Sequence, residues 1–274
     1  LTYILVGGVA RSGTTLLYGA LCSGKQTNPA LFETHLVPAL LRTYRQARHR
    51  FENVDGGQFF TDLAELNSYF RRFIVDFLES VRVRYGSPPH LVIKSTMLTP
   101  ESLAALDLLD DCKVVISVRD PRDVIASQLE IAAKSRRMAT GQHRDADVQR
   151  LTVELMRAYE ACMGAGPDGE RLRLQRYEDL VSAPREMVAK LGAFTGLDLT
   201  GFDPARAWAR SLRDFEADRA AGNPFVTELF GKGVSDQRVG HYRRILRPAD
   251  IRIIEAVCRP LMDLFQYPAD DTAA

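Results

Sequence analysis

Four short apolar runs punctuate the chain: YILVG near 3 to 7, HLVIK at 90 to 94, KVVISV at 113 to 118 and RLRLQRY at 171 to 177. Their length and their valine, isoleucine and leucine content predict strands buried on both faces, as in a parallel sheet. Between them the spacing becomes that of amphipathic helices, in TTLLYGALC, over about 61 to 84, and after Pro121. Strands alternating with helices predict an α/β fold, a doubly wound parallel sheet with helices on both faces. Ligands of such sheets bind beyond the carboxyl ends of the strands. Each apolar run here leads into polar residues: ARSGTT, then Lys94 and Ser95, then Arg119 and Asp120, then Tyr177, Glu178 and Asp179. Polar residues at every strand end exceed what a fold needs, and they predict a binding site on that edge.

The chain has 274 residues, 46% hydrophobic and 26% charged, which is the composition of a globular protein and excludes a disordered one. Neither repeats nor a linker divide it, so one domain over 1 to 274 is expected. A net charge of +1 gives no long-range attraction to nucleic acid or membrane, and neither is expected as a partner. Any polyanion must be held by local clusters. Only six of the 36 basic residues are lysines, and arginine's planar fork suits phosphate, sulfate and carboxylate. An arginine-favouring genome explains the same bias, so a single arginine counts only inside a motif. Cys22, Cys112, Cys162 and Cys258 form no metal-ligand or redox spacing and read as core residues of a reduced compartment. No apolar run approaches the ~20 residues needed to span a bilayer. The start LTYILVGGV also lacks the basic flank of a signal peptide, so a cytoplasmic location is expected.

Between the first strand and its helix lies GVARSGTT, residues 8 to 15. It is P-loop-like, close to the G-x-x-x-x-G-K-[ST] pattern whose backbone amides cradle phosphate. Thr14 stands where that pattern has lysine. Losing the cation that reaches the β and γ phosphates argues against chemistry on a nucleoside triphosphate. Arg11 supplies a cation from another point of the loop, beside Gly13, Thr14 and Thr15. Further along, VRDPRDVIAS offers Asp120 as a helix cap, Pro121 for the first turn, and a helix dipole aimed at an anion.

Arg11, Gly13, Thr14 and Thr15 after the first strand, with Arg119 followed eight residues on by Ser127, resemble the two signatures of sulfotransferases that use 3′-phosphoadenosine 5′-phosphosulfate (PAPS). The resemblance implies PAPS as co-substrate and no metal. The loop, Ser12 included, would hold the 5′-phosphosulfate, and Arg119 with Ser127 the 3′-phosphate. ALFETHLVPALL at 30 to 41 is similar to the segment of tyrosylprotein sulfotransferases that carries a catalytic glutamate before a threonine, which assigns that role to Glu33. Lys94 matches the lysine after the second strand, Tyr177 in RYEDL the adenine-side tyrosine, and Ser235 in SDQ a serine of the cofactor segment. A bacterial, soluble tyrosylprotein sulfotransferase is the branch it resembles, so a tyrosine-containing peptide or protein is the implied acceptor. A homodimer is compatible with this reading. Where relatives of that branch place arginines after the glutamate to hold acidic peptides, this chain has His35 and Ala39. Arg42, Arg45 and Arg48 on one helix face are either the replacement or a solvated face.

On this reading Glu33, Lys94, Ser235 and Arg11 carry the chemistry. Lys94 and Arg11 with the loop amides would stabilise the leaving phosphate, Ser235 would assist, and Glu33 would accept the acceptor's proton. His35 is the rival base. A sugar or small-molecule hydroxyl is the alternative acceptor. A P-loop kinase-like phosphotransferase and a non-catalytic nucleotide-binding module are the rival functions.

Overall fold

Strands β1 (Thr2–Gly7), β2 (His90–Lys94), β3 (Cys112–Val118) and β4 (Leu172–Arg176) pair in the order β2-β1-β3-β4, every pair parallel. The computed structural model describes residues 2–270 apart from 56, 138–146, 168, 227 and 230. Each strand lies within a residue or two of its apolar run. The fourth run is shorter than expected at its end, because Tyr177 begins a helix instead of closing β4.

The helices are α1 (Thr14–Leu21), α2 (Leu36–Arg50), α3 (Leu63–Arg84), α4 (Ser102–Leu108), α5 (Pro121–Arg137), α6 (Val148–Met163), α7 (Tyr177–Ser182), α8 (Pro184–Thr195), α9 (Phe215–Ala220) and α10 (Pro248–Leu264). They cover both faces of the sheet, because alternate residues of each strand point opposite ways. Tyr3, Leu5, Leu91, Ile93, Val114, Ile116, Leu172 and Leu174 join a core with α2 to α6 and α10. Ile4, Val6, Val92 and Val115 join a second core with α1, α7 and α8. All four cysteines are buried and unpaired.

Two features of the topology place the site. After β1 the chain crosses to β2 on one side and then returns to β3 on the other, so a crevice opens between the loops that follow β1 and β3. Those two loops carry GVARSGTT and Arg119. The start of α5 follows its sequence grammar: the Asp120 carboxylate accepts from Arg122 N at 2.9 Å, and Pro121 occupies the first turn.

Arg122 ties α5 to the end of the chain. Its buried guanidinium meets Asp120 at 2.7 Å and Glu255 of α10 at 2.6 Å, and lies 4.5 Å from the centre of the Tyr242 ring. The Tyr242 hydroxyl in turn donates to Asp270 at 2.8 Å, whose own N–H reaches Glu255 at 2.9 Å. Arg122→Ala would strand two buried carboxylates, and a broken buried pair typically costs about 3–5 kcal/mol. Urea unfolding should show a midpoint lowered accordingly, and Arg122→Lys should recover only part of it, because a point charge cannot bridge both acids as the fork does.

Candidate functional site

The loop between β1 and α1 is shaped by three residues at positive φ: Gly8 (129°), Arg11 (79°) and Gly13 (94°). For Arg11 this is strained backbone, worth roughly 1–3 kcal/mol, and it persists only where the surroundings over-determine it. Here they do. Gly8 N donates to Thr99 Oγ1 at 2.7 Å and Val9 N to the Tyr159 hydroxyl at 3.4 Å. The carbonyls of Ala10, Arg11 and Ser12 accept from Gln128 Nε2 (3.0 Å), an Arg119 guanidinium nitrogen (3.3 Å) and Ser117 Oγ (2.6 Å). With its carbonyls occupied, the loop leads into α1, whose N-terminus no side chain caps. The amides of the first turn have no acceptor within the helix, and the helix dipole adds positive potential there. A residue larger than glycine cannot stand at 13, since a Cβ there would lie 2.3 Å from the Tyr177 ring.

A cavity of about 460 Å³ opens in front of this terminus. One group of wall residues is built for a polyanion: Arg11, Arg119, Ser127, Tyr177, Ser235 and Arg238. Arg11 Nε donates to Ser127 Oγ at 3.1 Å, and Arg119 stacks on the Tyr177 ring with its guanidinium carbon 4.7 Å from the centroid. Burial, then the like charges of Arg119 and Arg238, push the Arg11 guanidinium down to about 10, against a partial offset from Glu130. Arg119 Nε is buried and has no hydrogen-bond partner among the described residues. Crowded cations with an orphaned donor form a site that an anion would complete.

The second group surrounds an ion pair. Lys94 Nζ, at the end of β2, lies 2.6 Å from Glu33 Oε1 and 3.4 Å from Thr15 Oγ1. The other Glu33 oxygen accepts from the N–H and the hydroxyl of Thr96, both at 3.3 Å. Burial raises the Glu33 pKa, but the Lys94 charge and these hydrogen bonds outweigh it and hold the carboxylate below its ordinary value. Lys94 is also lowered, by burial first and by Arg213 and Arg11, with Glu33 opposing.

Of the residues expected from the sequence, Arg11, Gly13, Thr14, Thr15, Glu33, Lys94, Arg119, Ser127, Tyr177 and Ser235 all line this one cavity, and so does His35. Ser12 is the exception. It is fully buried and is not among the wall residues, and its carbonyl accepts from Ser117 Oγ. Arg42, Arg45 and Arg48 lie outside the cavity on an exposed face, the second of the two readings, where Arg42 and Arg45 pair with Glu101 and Arg48 with Glu52 and Asp107. Sequence reasoning missed Trp208, Arg213, Phe225 and Arg238, which come from the irregular segment after α8. Arg238 had a signal, since it directly follows SDQ. Among the described residues no cluster of three or more histidines, cysteines or carboxylates is placed to hold a metal, and no helix is long and apolar enough to cross a membrane.

A family profile described as "Sulfotransferase family" matches residues 4–201. Mouse Carbohydrate sulfotransferase 5 is 30% identical over 169 residues, 57% of this chain and 41% of that protein. The chain spans about two fifths of the length of the curated relatives it matches. Among solved structures, the sulfotransferase domain from the curacin biosynthetic pathway aligns with a TM-score of 0.59 at 16% identity, over 98% of this chain and 99% of that one. Mouse sulfotransferase SULT7A1 complexed with PAP aligns with a TM-score of 0.53 at 13% identity, over 97% and 89% of the two chains.

The depressed Glu33 pKa fixes a pH signature. A carboxylate lowered in the folded state contributes stability above its unfolded pKa of ~4.3, and that contribution disappears as the pH falls through the lower folded value. Thermal melts should find Glu33→Gln less stable than the parent near neutrality, with the two curves converging in acid. A gap that widens in acid would contradict the ion pair.

Proposed function

The chain belongs to the sulfotransferase family, and on that basis we propose that it transfers the sulfuryl group of PAPS to a hydroxyl of its acceptor. The observation that carries this reading is the presence of Arg11, Arg119 and Ser127 in the same cavity as the Lys94–Glu33 pair, at the uncapped head of α1. A donor with phosphate at both its 3′ and 5′ positions needs two anion sites, and two groups of donors are present. Arg119 and Ser127 suit the 3′-phosphate, and Arg11, expected at the 5′ end, donates to Ser127 and so stands with them; the α1 amides with Thr14 and Thr15 suit the 5′-phosphosulfate, and Tyr177 offers a ring for the base.

When bound, the donor supplies a sulfuryl group on a phosphate leaving group. Lys94 is the cation for the charge that develops on that phosphate. Glu33 takes the acceptor's proton, and its low pKa dictates when. Against a phenol of pKa ~10, removal by a carboxylate near 4.3 is uphill by roughly 8 kcal/mol, and a depressed carboxylate makes it worse. Proton transfer must accompany formation of the acceptor O–S bond and cleavage of the S–O bond to the phosphate, as the attacking oxygen becomes acidic. The ion pair couples the two events: a protonated Glu33 holds Lys94 less tightly, which leaves the ammonium for the departing phosphate.

For the acceptor, a sugar hydroxyl is the first reading. Support comes from the carbohydrate sulfotransferases among its relatives and from the surface beside Glu33, where Arg213 of the cavity wall lies over the exposed Phe32 ring at 5.8 Å. An aromatic face and a guanidinium suit the apolar face and the hydroxyls of a pyranose. A tyrosyl hydroxyl is the second reading, favoured by Glu33 of the FETH segment facing the cavity. An acidic peptide loses its support on α2, because Arg42, Arg45 and Arg48 are already paired.

Incubation with labelled PAPS and a panel of oligosaccharides and tyrosine peptides should yield one sulfated class by mass spectrometry, and transfer should persist in EDTA. Loss of transfer restored by magnesium would return the kinase-like alternative. Glu33→Gln should lower turnover by ~10²-fold or more while the affinity for adenosine 3′,5′-bisphosphate changes only a few-fold. His35→Ala should affect turnover much less. The reverse pattern would make the histidine the base.

A further inference from the structure

Asp123, on the first turn of α5, lies at the base of the cavity and joins three parts of the phosphate-binding wall. Its side chain is fully buried. Oδ1 accepts from Tyr242 N at 2.8 Å and Oδ2 from Gly240 N at 2.8 Å, which pins the turn after SDQR to α5. Oδ2 also lies 3.3 Å from an Arg119 guanidinium nitrogen, and the same nitrogen donates to the Arg238 carbonyl. Arg119 through its other terminal nitrogen holds the Arg11 carbonyl. One carboxylate thus sets where the segment carrying Ser235 and Arg238 sits relative to Arg119 and, through it, to the strained loop at Arg11.

We propose that Asp123 is a positioning residue for recognition of the donor's 3′-phosphate: it holds Arg119 and the 235–242 segment in the spacing that makes their donors converge. The inference rests on the proposed two-phosphate donor, and it adds a residue that acts through the donors it holds. The chemistry requires an acid here. Two backbone N–H groups and a guanidinium all need an acceptor, and a carboxylate can accept from all three, whereas an amide has one acceptor oxygen and would set its own NH₂ against a donor. A hydroxyl is too short to span both N–H groups.

The test separates positioning from general stability by reading nucleotide selectivity. Calorimetry on the full chain compares adenosine 3′,5′-bisphosphate with AMP, which lacks the 3′-phosphate. The parent should prefer the bisphosphate by about tenfold or more, the worth of a hydrogen bond to a charged group. If it shows no preference, the two-phosphate reading itself fails. Given that preference, Asp123→Asn should collapse it toward unity while AMP affinity stays within about threefold, because the fault lies only in the 3′ site. Asp123→Glu, which retains the charge but must place an extra methylene in a buried site, should lose part of the preference. Arg238→Ala should cost less bisphosphate affinity in either variant than in the parent, since the two residues act as a unit. The proposal is overturned if the Asp123 variants retain the parent's preference, if they weaken both nucleotides equally, or if the Arg238 effect is unchanged.

Discussion

Gathering positive charge in one enclosed space is the constraint from which the rest of this site follows. Arg11, Arg119, Arg238 and Lys94 share a cavity wall. Like charges in a low-dielectric setting repel strongly and each resists losing its hydration. The lowered pKa of Arg11 registers both effects. Such a cluster collapses or swings into solvent unless the fold fixes every member.

The fixing is done largely by backbone carbonyls and by acids set beside the cations. Arg119 is held by the carbonyls of Arg11 and Arg238, Arg11 reaches the carbonyl of Phe225, and Glu130 accepts from Arg238 at 3.0 Å. Carbonyl dipoles orient a guanidinium without cancelling its charge, so the net positive potential survives for a ligand. At Lys94 the solution differs in one respect: Asp123 beside Arg119 is fully buried, whereas the Glu33 carboxylate against the ammonium is partly exposed to the cavity. That choice fits a position where charge has to be released during a reaction, whereas the arginines need only be present throughout.

Much of this was legible in the chain because strand signals and loop signals are local. The apolar runs mark the sheet to within a residue or two, and the parallel order then brings the polar strand ends to one edge without further information. Arg11, Lys94, Arg119 and Tyr177 were found for that reason. What escaped depends on partners distant in sequence. Glu101 lies more than fifty residues from Arg42 and Arg45, and no periodicity on α2 announces that pairing. Ser12 looked like its neighbours in the motif, but a loop that alternates its carbonyls and side chains must bury some of them. The segment from 207 to 245 has little regular structure, so its wall residues had no pattern to betray them apart from the SDQ triplet before Arg238.

The contact between Gly13 and Tyr177 has a consequence for how this chain can change over generations. One face of that ring leaves no room for a side chain at 13, and the ring also seats the Arg119 guanidinium. Drift at 177 toward a smaller residue would lift the steric block at 13, though not the cost of its positive φ, and would remove the platform under the arginine, while drift at 13 is blocked as long as the ring is present. The two positions are therefore locked into a ratchet, in which the aromatic must yield before the glycine can. Descendants of this sequence that abandon phosphate binding should lose the tyrosine first and record the order of events in their sequences.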